Sequence, residues 1–310
     1  MSNIEALKAV LKKCVLCPRH CRVDRTAGEK GACGLSDGIV MDCAMAHFGE
    51  EPPLSGTGGA GTIFLSSCNL KCLYCQNYQI SHRISGQRLD AKGLARIMLD
   101  LQEQGCHNVE PVTPTPQLPG IIEALFIARQ KGLTVPFVYN CGGYESNNII
   151  RRLKGLVDIY LPDFKYGIED EGQMLSGVDD YPQQAVASIR EMISQVGEEL
   201  ELADGIARRG MLIRHLILPG KIENSLAVLD LIKRRLSTAV ALSLMSQYTP
   251  IPAVRNHPLL GRRVSRTEYD QVIHYALNSG FDNLYIQAVD GRHRSPDFEN
   301  KQPFHWERER

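Results

Sequence analysis

Residues 62–75 read TIFLSSCNLKCLYC. An apolar run of strand character passes directly into a loop holding Cys68, Cys72 and Cys75 in the spacing C-x3-C-x2-C. Downstream, the same kind of run recurs at 109–113, 135–140, 157–161, 211–218, 240–245 and 284–289. Amphipathic stretches of helical period separate the runs, at 91–104, 119–130, 145–153, 183–196, 223–235 and 266–278. Strands that alternate with helices imply a parallel sheet with the helices outside it. The pattern alone leaves an open doubly wound sheet and a full or partial barrel both standing. In either, chemistry collects at the carboxyl ends of the strands, where the three cysteines lie.

The chain has 310 residues, 35 basic against 35 acidic, and 43% hydrophobic residues. A balanced charge lacks the basic excess of a nucleic-acid or membrane-surface protein, and neither partner is expected. No apolar run approaches the ~20 residues of a membrane span, and the start MSNIEALKAVLKKC lacks a secretory signal, so a cytoplasmic protein is expected. Ten cysteines stand out against that background, all between Cys14 and Cys141. In a chain that is not exported, clustered cysteines are metal ligands or redox groups before they are disulfides.

Three thiolates on one loop can hold three irons of a 4Fe-4S cluster and leave the fourth iron open. Such an iron can take a molecule with an amine and a carboxylate side by side, as S-adenosylmethionine has. A zinc knuckle completed by His82, or a redox pair of Cys72 and Cys75, are the alternatives. Upstream, Cys14, Cys17, Cys21 and Cys33 are spaced C-x2-C-x3-C-x11-C, enough to saturate a tetrahedral zinc or a second 4Fe-4S cluster, with His20 as a spare ligand and free buried thiols as the third reading. Either metal would let an irregular segment of ~50 residues hold its shape without a core of its own. The G-x-G-x-x-G at 56–61 precedes a strand instead of following one, so it reads as a flexible lead-in and not a dinucleotide site.

The Cys68 loop resembles the motif of radical S-adenosylmethionine enzymes, with Tyr74 at the aromatic position before the third cysteine. Where many of those enzymes carry a Gly-Gly-Glu turn after the second strand, this chain has Val112-Thr113-Pro114-Thr115-Pro116, which either offers the hydroxyls of Thr113 and Thr115 or is a proline-stiffened turn that they cap; Glu110 is a tempting substitute, within a strand pattern that leaves its side chain free to face either way. The third strand ends Tyr139-Asn140-Cys141-Gly142-Gly143, where glycines let backbone approach a ligand. Asp163 and Lys165 are similar to the Asp-Leu-Lys element of glycyl-radical-enzyme activases, and Arg214 ahead of Pro219-Gly220 to their Arg and Val-Pro-Gly. An arginine in an apolar run needs a partner, either a cofactor carboxylate or Asp158 or Asp163.

From residue 11 to about 290 the chain resembles the pyruvate formate-lyase activating enzyme-like branch of that family, through 14–34, 47–52, 68–81, 112–115, 139–145, 158–165, 214–220 and 245–250. The resemblance implies a partial (β/α)6 barrel at 56–290, preceded by a Cys-rich metal-binding segment at 1–55 and followed by a polar tail at 291–310. It implies that Cys68, Cys72 and Cys75 hold a 4Fe-4S cluster and that Tyr74, Thr113, Thr115, Asn140, Asp163, Lys165 and Arg214 surround S-adenosylmethionine. The expected activity is reductive cleavage of that cofactor and abstraction of a hydrogen atom, with an electron donor such as flavodoxin or ferredoxin. Activation of a glycyl radical enzyme is expected first, modification of a peptide or small molecule second, and a non-catalytic iron–sulfur carrier or metal-binding module third. Cys141 is a candidate hydrogen donor, Cys106 a buried apolar residue, and His47, Glu50 and Glu51 are expected at the surface first, with lining of the entrance as the alternative. The tail, with Phe298, Phe304 and Trp306, is expected in solvent or against a partner.

Overall fold

The computed structural model describes residues 2–289, 295–300 and 302–304. Among these residues ten strands form one sheet: β1 (Ile39–His47), β2 (Ala60–Leu65), β3 (Gln87–Leu89), β4 (Val109–Val112), β5 (Val138–Cys141), β6 (Ile159–Pro162), β7 (Glu201–Ala203), β8 (Ile206–Leu216), β9 (Ala241–Met245) and β10 (Leu284–Ile286). Their order is β10-β9-β8-β6-β5-β4-β2-β1-β3, with β7 beside β8. From β2 to β10 every neighbouring pair on that path is parallel. Order in the sheet thus follows order in the chain, without the reversal a doubly wound sheet requires. Crossovers between parallel strands follow a right-handed rule that puts the helices on one face, and the sheet encloses a second, inner core on the other as a partial barrel.

Two faces of the strands are apolar because both are covered. Outside, helix Ala91–Glu103 turns Leu94, Ala95, Met98 and Leu101 to the sheet, started by the Asp90 carboxylate accepting from the Gly93 amide at 2.7 Å. Helix Arg266–Asn278 starts on a reciprocal Ser265–Glu268 capping box. Inside, Val138, Ile159, Leu161, Leu212 and Ala241 form a second core around Leu54, which enters from the short helix Pro52–Ser55 ahead of β2.

Within 1–55, expected to be irregular, β1 is a nine-residue strand antiparallel to β2, pairing His47 with Ala60. The glycine lead-in is a tight turn: a Cβ on Gly58 would lie 2.1 Å from the Gly105 carbonyl oxygen, and the Gly58 amide donates to His107 at 3.0 Å. No helix among the described residues is long and apolar enough to cross a membrane.

Candidate iron–sulfur site

The cysteine loop leaves the end of β2 through Ser67 and turns again at Lys71, both at positive φ (81° and 55°), a conformation that side chains other than glycine adopt at a cost. Each thiol meets a hydrogen-bond donor. The Leu70 amide donates to Cys68 Sγ at 3.3 Å, the Ser176 hydroxyl to Cys72 Sγ at 3.0 Å, and the Ser81 hydroxyl to Cys75 Sγ at 3.2 Å. Burial, with Cys72 and Cys68 beside it, pushes the Cys75 thiol up to about 12, and burial raises Cys68 as well. Thiols raised as Cys68 and Cys75 are become thiolates only against a compensating positive centre. Among the described residues no three thiols, imidazoles or carboxylates form a ready-made ligand set. The fit of the loop to an iron–sulfur cluster is therefore one of donor chemistry: soft sulfur ligands, each with a proton donor suited to a bound thiolate.

Lys165, at the end of β6, is the cation of this site. Its ammonium is 2.5 Å from Asp163. Burial alone would lower its pKa, but Asp163 and the Cys72 thiol outweigh that and hold it well above the usual lysine range. Tyr74 is buried, edge-on to Tyr166 and Tyr248 at ring separations of 6.4 and 6.3 Å. Thr113 sits at φ 56°, its amide donating to the Asn140 carbonyl at 2.9 Å. Gly142 and Gly143 approach protein here: a Cβ on Gly142 would lie 2.9 Å from Leu70 of the cysteine loop, and one on Gly143 would lie 2.1 Å from the Asp163 carbonyl oxygen.

Other expected residues are committed elsewhere. Thr115 donates to the buried Glu145 at 2.8 Å, and burial pushes that carboxyl up to about 8. Asn140 donates to Glu110 at 2.7 Å. Arg214 pairs with neither Asp158 nor Asp163; its Nε donates to the Glu51 carboxylate at 3.0 Å and 3.2 Å, and its Nη2 to Glu50 and Glu51. Asp158 is held by Arg129 at 2.8 Å, on the outer side. His47, Glu50 and Glu51, expected at the surface, are almost wholly buried, because the segment after β1 folds under the barrel and carries them to Arg214. Cys106 and Cys141 are buried, and His20 and His82 exposed.

Cys14, Cys17, Cys21 and Cys33 line one small cavity together with Asn69 and Thr115. The knuckle between Cys17 and Cys21 is tight, with His20 and Arg22 at φ 44° and 58°, and a Cβ on Gly31 would lie 2.9 Å from Cys21 Sγ. This segment is docked on the first cysteine loop. Arg19 donates to the carbonyls of Asn69 (2.9 Å), Leu70 (3.3 Å), Ser176 (2.8 Å) and Gly177 (2.8 Å), and Ser67 donates to the Cys33 carbonyl at 2.6 Å. Sequence reasoning missed Arg19, Ser81, Ser176 and Gln117, whose amide joins Val40 of β1 to the Ser66 carbonyl at the base of the loop. None belongs to a local pattern that would have flagged it.

Residues 54–123, which hold β2, the cysteine loop and β4, match a family described as a 4Fe-4S single cluster domain. The cofactor of that family is the one expected on Cys68, Cys72 and Cys75. An uncharacterised protein of Methanocaldococcus jannaschii is 29% identical over 293 residues, covering 91% of this chain and 80% of its own. Among solved structures, Streptococcus suis SuiB bound to precursor peptide SuiA is similar at a TM-score of 0.48 and 13% identity, over 72% of this chain and 47% of that one. Native anSMEcpe with bound AdoMet is similar at 0.41 and 12%, over 58% and 48%. The chain thus spans about half the length of these two structures.

Proposed function

We propose that the protein is a radical S-adenosylmethionine enzyme that abstracts a hydrogen atom from a peptide or small molecule. The observation that carries this is the strand-end loop of Cys68, Cys72 and Cys75, each thiol with its own proton donor, inside the stretch that matches a 4Fe-4S domain. A 4Fe-4S cluster held by Cys68, Cys72 and Cys75 and reduced by a flavodoxin- or ferredoxin-type donor would supply one electron for the reductive cleavage of S-adenosylmethionine, the chemistry by which a hydrogen atom would be taken from substrate.

The chain's own residues prepare the place. Ser81, Ser176 and the Leu70 amide stabilise thiolates. Lys165, held by Asp163, offers a fixed cation to the cofactor's carboxylate, while Tyr74 and the Thr113 turn shape the mouth. Asn140, Arg214 and Thr115 spend their donors on Glu110, Glu50 with Glu51, and Glu145, and we assign them to positioning. From the pyruvate formate-lyase activating enzyme-like branch we carry over the handling of the cofactor. Glycyl-radical activation was expected because few insertions would leave the barrel face open to a partner's loop. Phe298 and Phe304 pack on Phe64 at that face, which favours a smaller substrate. Cys14, Cys17, Cys21 and Cys33 are proposed to hold a second metal centre, a 4Fe-4S cluster or zinc.

The test is anaerobic reconstitution, metal and sulfide analysis, and 5′-deoxyadenosine release after dithionite reduction. Release by the unaltered protein and none by Cys72→Ala is expected. Equal release by both would overturn the ligand assignment, and a reduced cluster without product would favour an electron carrier. Roughly eight irons per chain would mean two clusters, and roughly four with one zinc would make the N-terminal centre structural.

A further inference from the structure

The segment after β1 and the inner faces of β4, β5 and β8 enclose a polar layer in an otherwise apolar interior. Along β4, Val109 packs into the outer core, so Glu110 faces inward. Glu110 is fully buried; its Oε1 accepts from Asn140, and its Oε2, also buried, has no hydrogen-bond partner among the described residues. Around it stand Glu50, Glu51 and Arg214, with His47 Nδ1 3.0 Å from Glu50. Among the described residues, these three carboxyls exceed the two groups that can be cationic there, Arg214 and His47, and Arg214 turns its hydrogen bonds to Glu50 and Glu51. Glu110 is left as the uncompensated acid. A buried carboxyl with a bare oxygen is costly unless a donor arrives to meet it.

We propose that Glu110, oriented by Asn140, is the receptor for a positively charged group of the substrate, an alkylammonium or a guanidinium. Only the word substrate rests on the radical-enzyme reading; the binding site stands on the interior geometry. Glu110 pairs in register with Thr62, three residues before the end of β2 at Leu65. At ~3.3 Å per residue it lies roughly 10 Å beneath the mouth where the cysteine loop begins. A substrate with its reacting carbon at the mouth would place a cation several bonds away in this layer. Burial, with Glu50 and Glu51 adding to it, raises the Glu110 pKa well above the usual carboxyl range and so favours the neutral carboxyl until a cation meets it. The arriving cation takes that proton's place: the carboxyl ionises against the ammonium or guanidinium, and one proton leaves to solvent.

Calorimetry on the full, anaerobically reconstituted protein with S-adenosylmethionine present tests this. The probes are the N-acetyl methylamides of lysine, arginine and norleucine, each in two buffers of different ionisation enthalpy. The cationic probes should bind about tenfold or more tightly than norleucine and release up to one proton. Glu110→Gln should abolish both the preference and the proton release. Equal binding of the three probes, no binding of either cation, or an unchanged preference in Glu110→Gln overturns the proposal and leaves a buried water as the occupant. If that variant does not fold, the lysine–norleucine comparison in the unaltered protein decides. A cation preference without 5′-deoxyadenosine release keeps this site and removes the radical reading; release without the preference does the reverse.

Discussion

His215 is a neutral strut inside the fold. Its Nδ1 is 2.7 Å from the Phe164 carbonyl and its Nε2 2.8 Å from the Ser225 hydroxyl, so the proton is on Nδ1 and Nε2 accepts. The ring ties the end of β6, one residue before Lys165, to helix Ile222–Arg235. Burial pushes its pKa down to about 4, below the ~6.5 of an exposed histidine. The unfolded chain therefore binds a proton that the folded one refuses. Stability is lost as pH falls from ~6.5 toward ~4, by about 1.4 kcal/mol per unit in that window and about 3 kcal/mol in all. Urea unfolding between pH 6.5 and 5.5 should show a shallower slope in His215→Gln than in the unaltered protein, by about 1 kcal/mol. Equal slopes would mean that the ring is not held neutral.

At the level of elements, the N-terminal knuckle is a brace on the cysteine loop. Arg19 satisfies four carbonyls, two on that loop and two at the end of helix Glu169–Ser176, which also supplies the Ser176 donor to Cys72. Arg19→Ala should cost about 2 kcal/mol, hydrogen bonds from charged groups being worth about 1.5–3 kcal/mol each but not additive. It should also speed amide exchange across residues 68–76 and shorten iron retention; unchanged exchange there would show that the two segments are docked without coupling. The elements themselves were readable where one pattern sufficed. The parallel strands are apolar on both faces, the helices keep a 3.6 period with caps such as Asp90, and the Cys68 spacing is local. β1 escaped because IVMDCAMAH mixes small and polar residues on a half-buried strand near the sheet's edge. Arg214 and Glu51 are 163 residues apart, so no window along the chain contains both. The sequence showed that Arg214 needed a partner, while the identity of that partner depended on the segment after β1 folding under the barrel. Glu110 was noticed, but its direction was set only by the register of β4 against β2.

Across the whole molecule, the sheet ends at β10 on one side and at β3 on the other, and no strand pairing joins them among the described residues. Phe298 and Phe304 lie 5.3 Å, ring to ring, from the inward-facing Phe64 of β2, and Phe304 lies 4.5 Å from His47. The Gln79 side chain accepts from the Phe298 amide and donates to Asp297, both at 2.9 Å. The tail, expected in solvent or against a partner, is at these residues a strap packed on β2 of its own chain; Trp306 lies outside the described residues. Because Phe64 is only 3% exposed under this strap, removing the rings should uncover an apolar wall of the interior. The double variant Phe298→Ala/Phe304→Ala should lose about 1–3 kcal/mol, from partly buried rings and their edge contacts. It should also bind a hydrophobic dye that the unaltered protein excludes, with the Cys68 loop and its iron content unchanged. Loss of iron together with dye binding would show that the strap supports the cysteine loop through Gln79. No change in either would mean that the aromatic contacts contribute nothing to closing the seam.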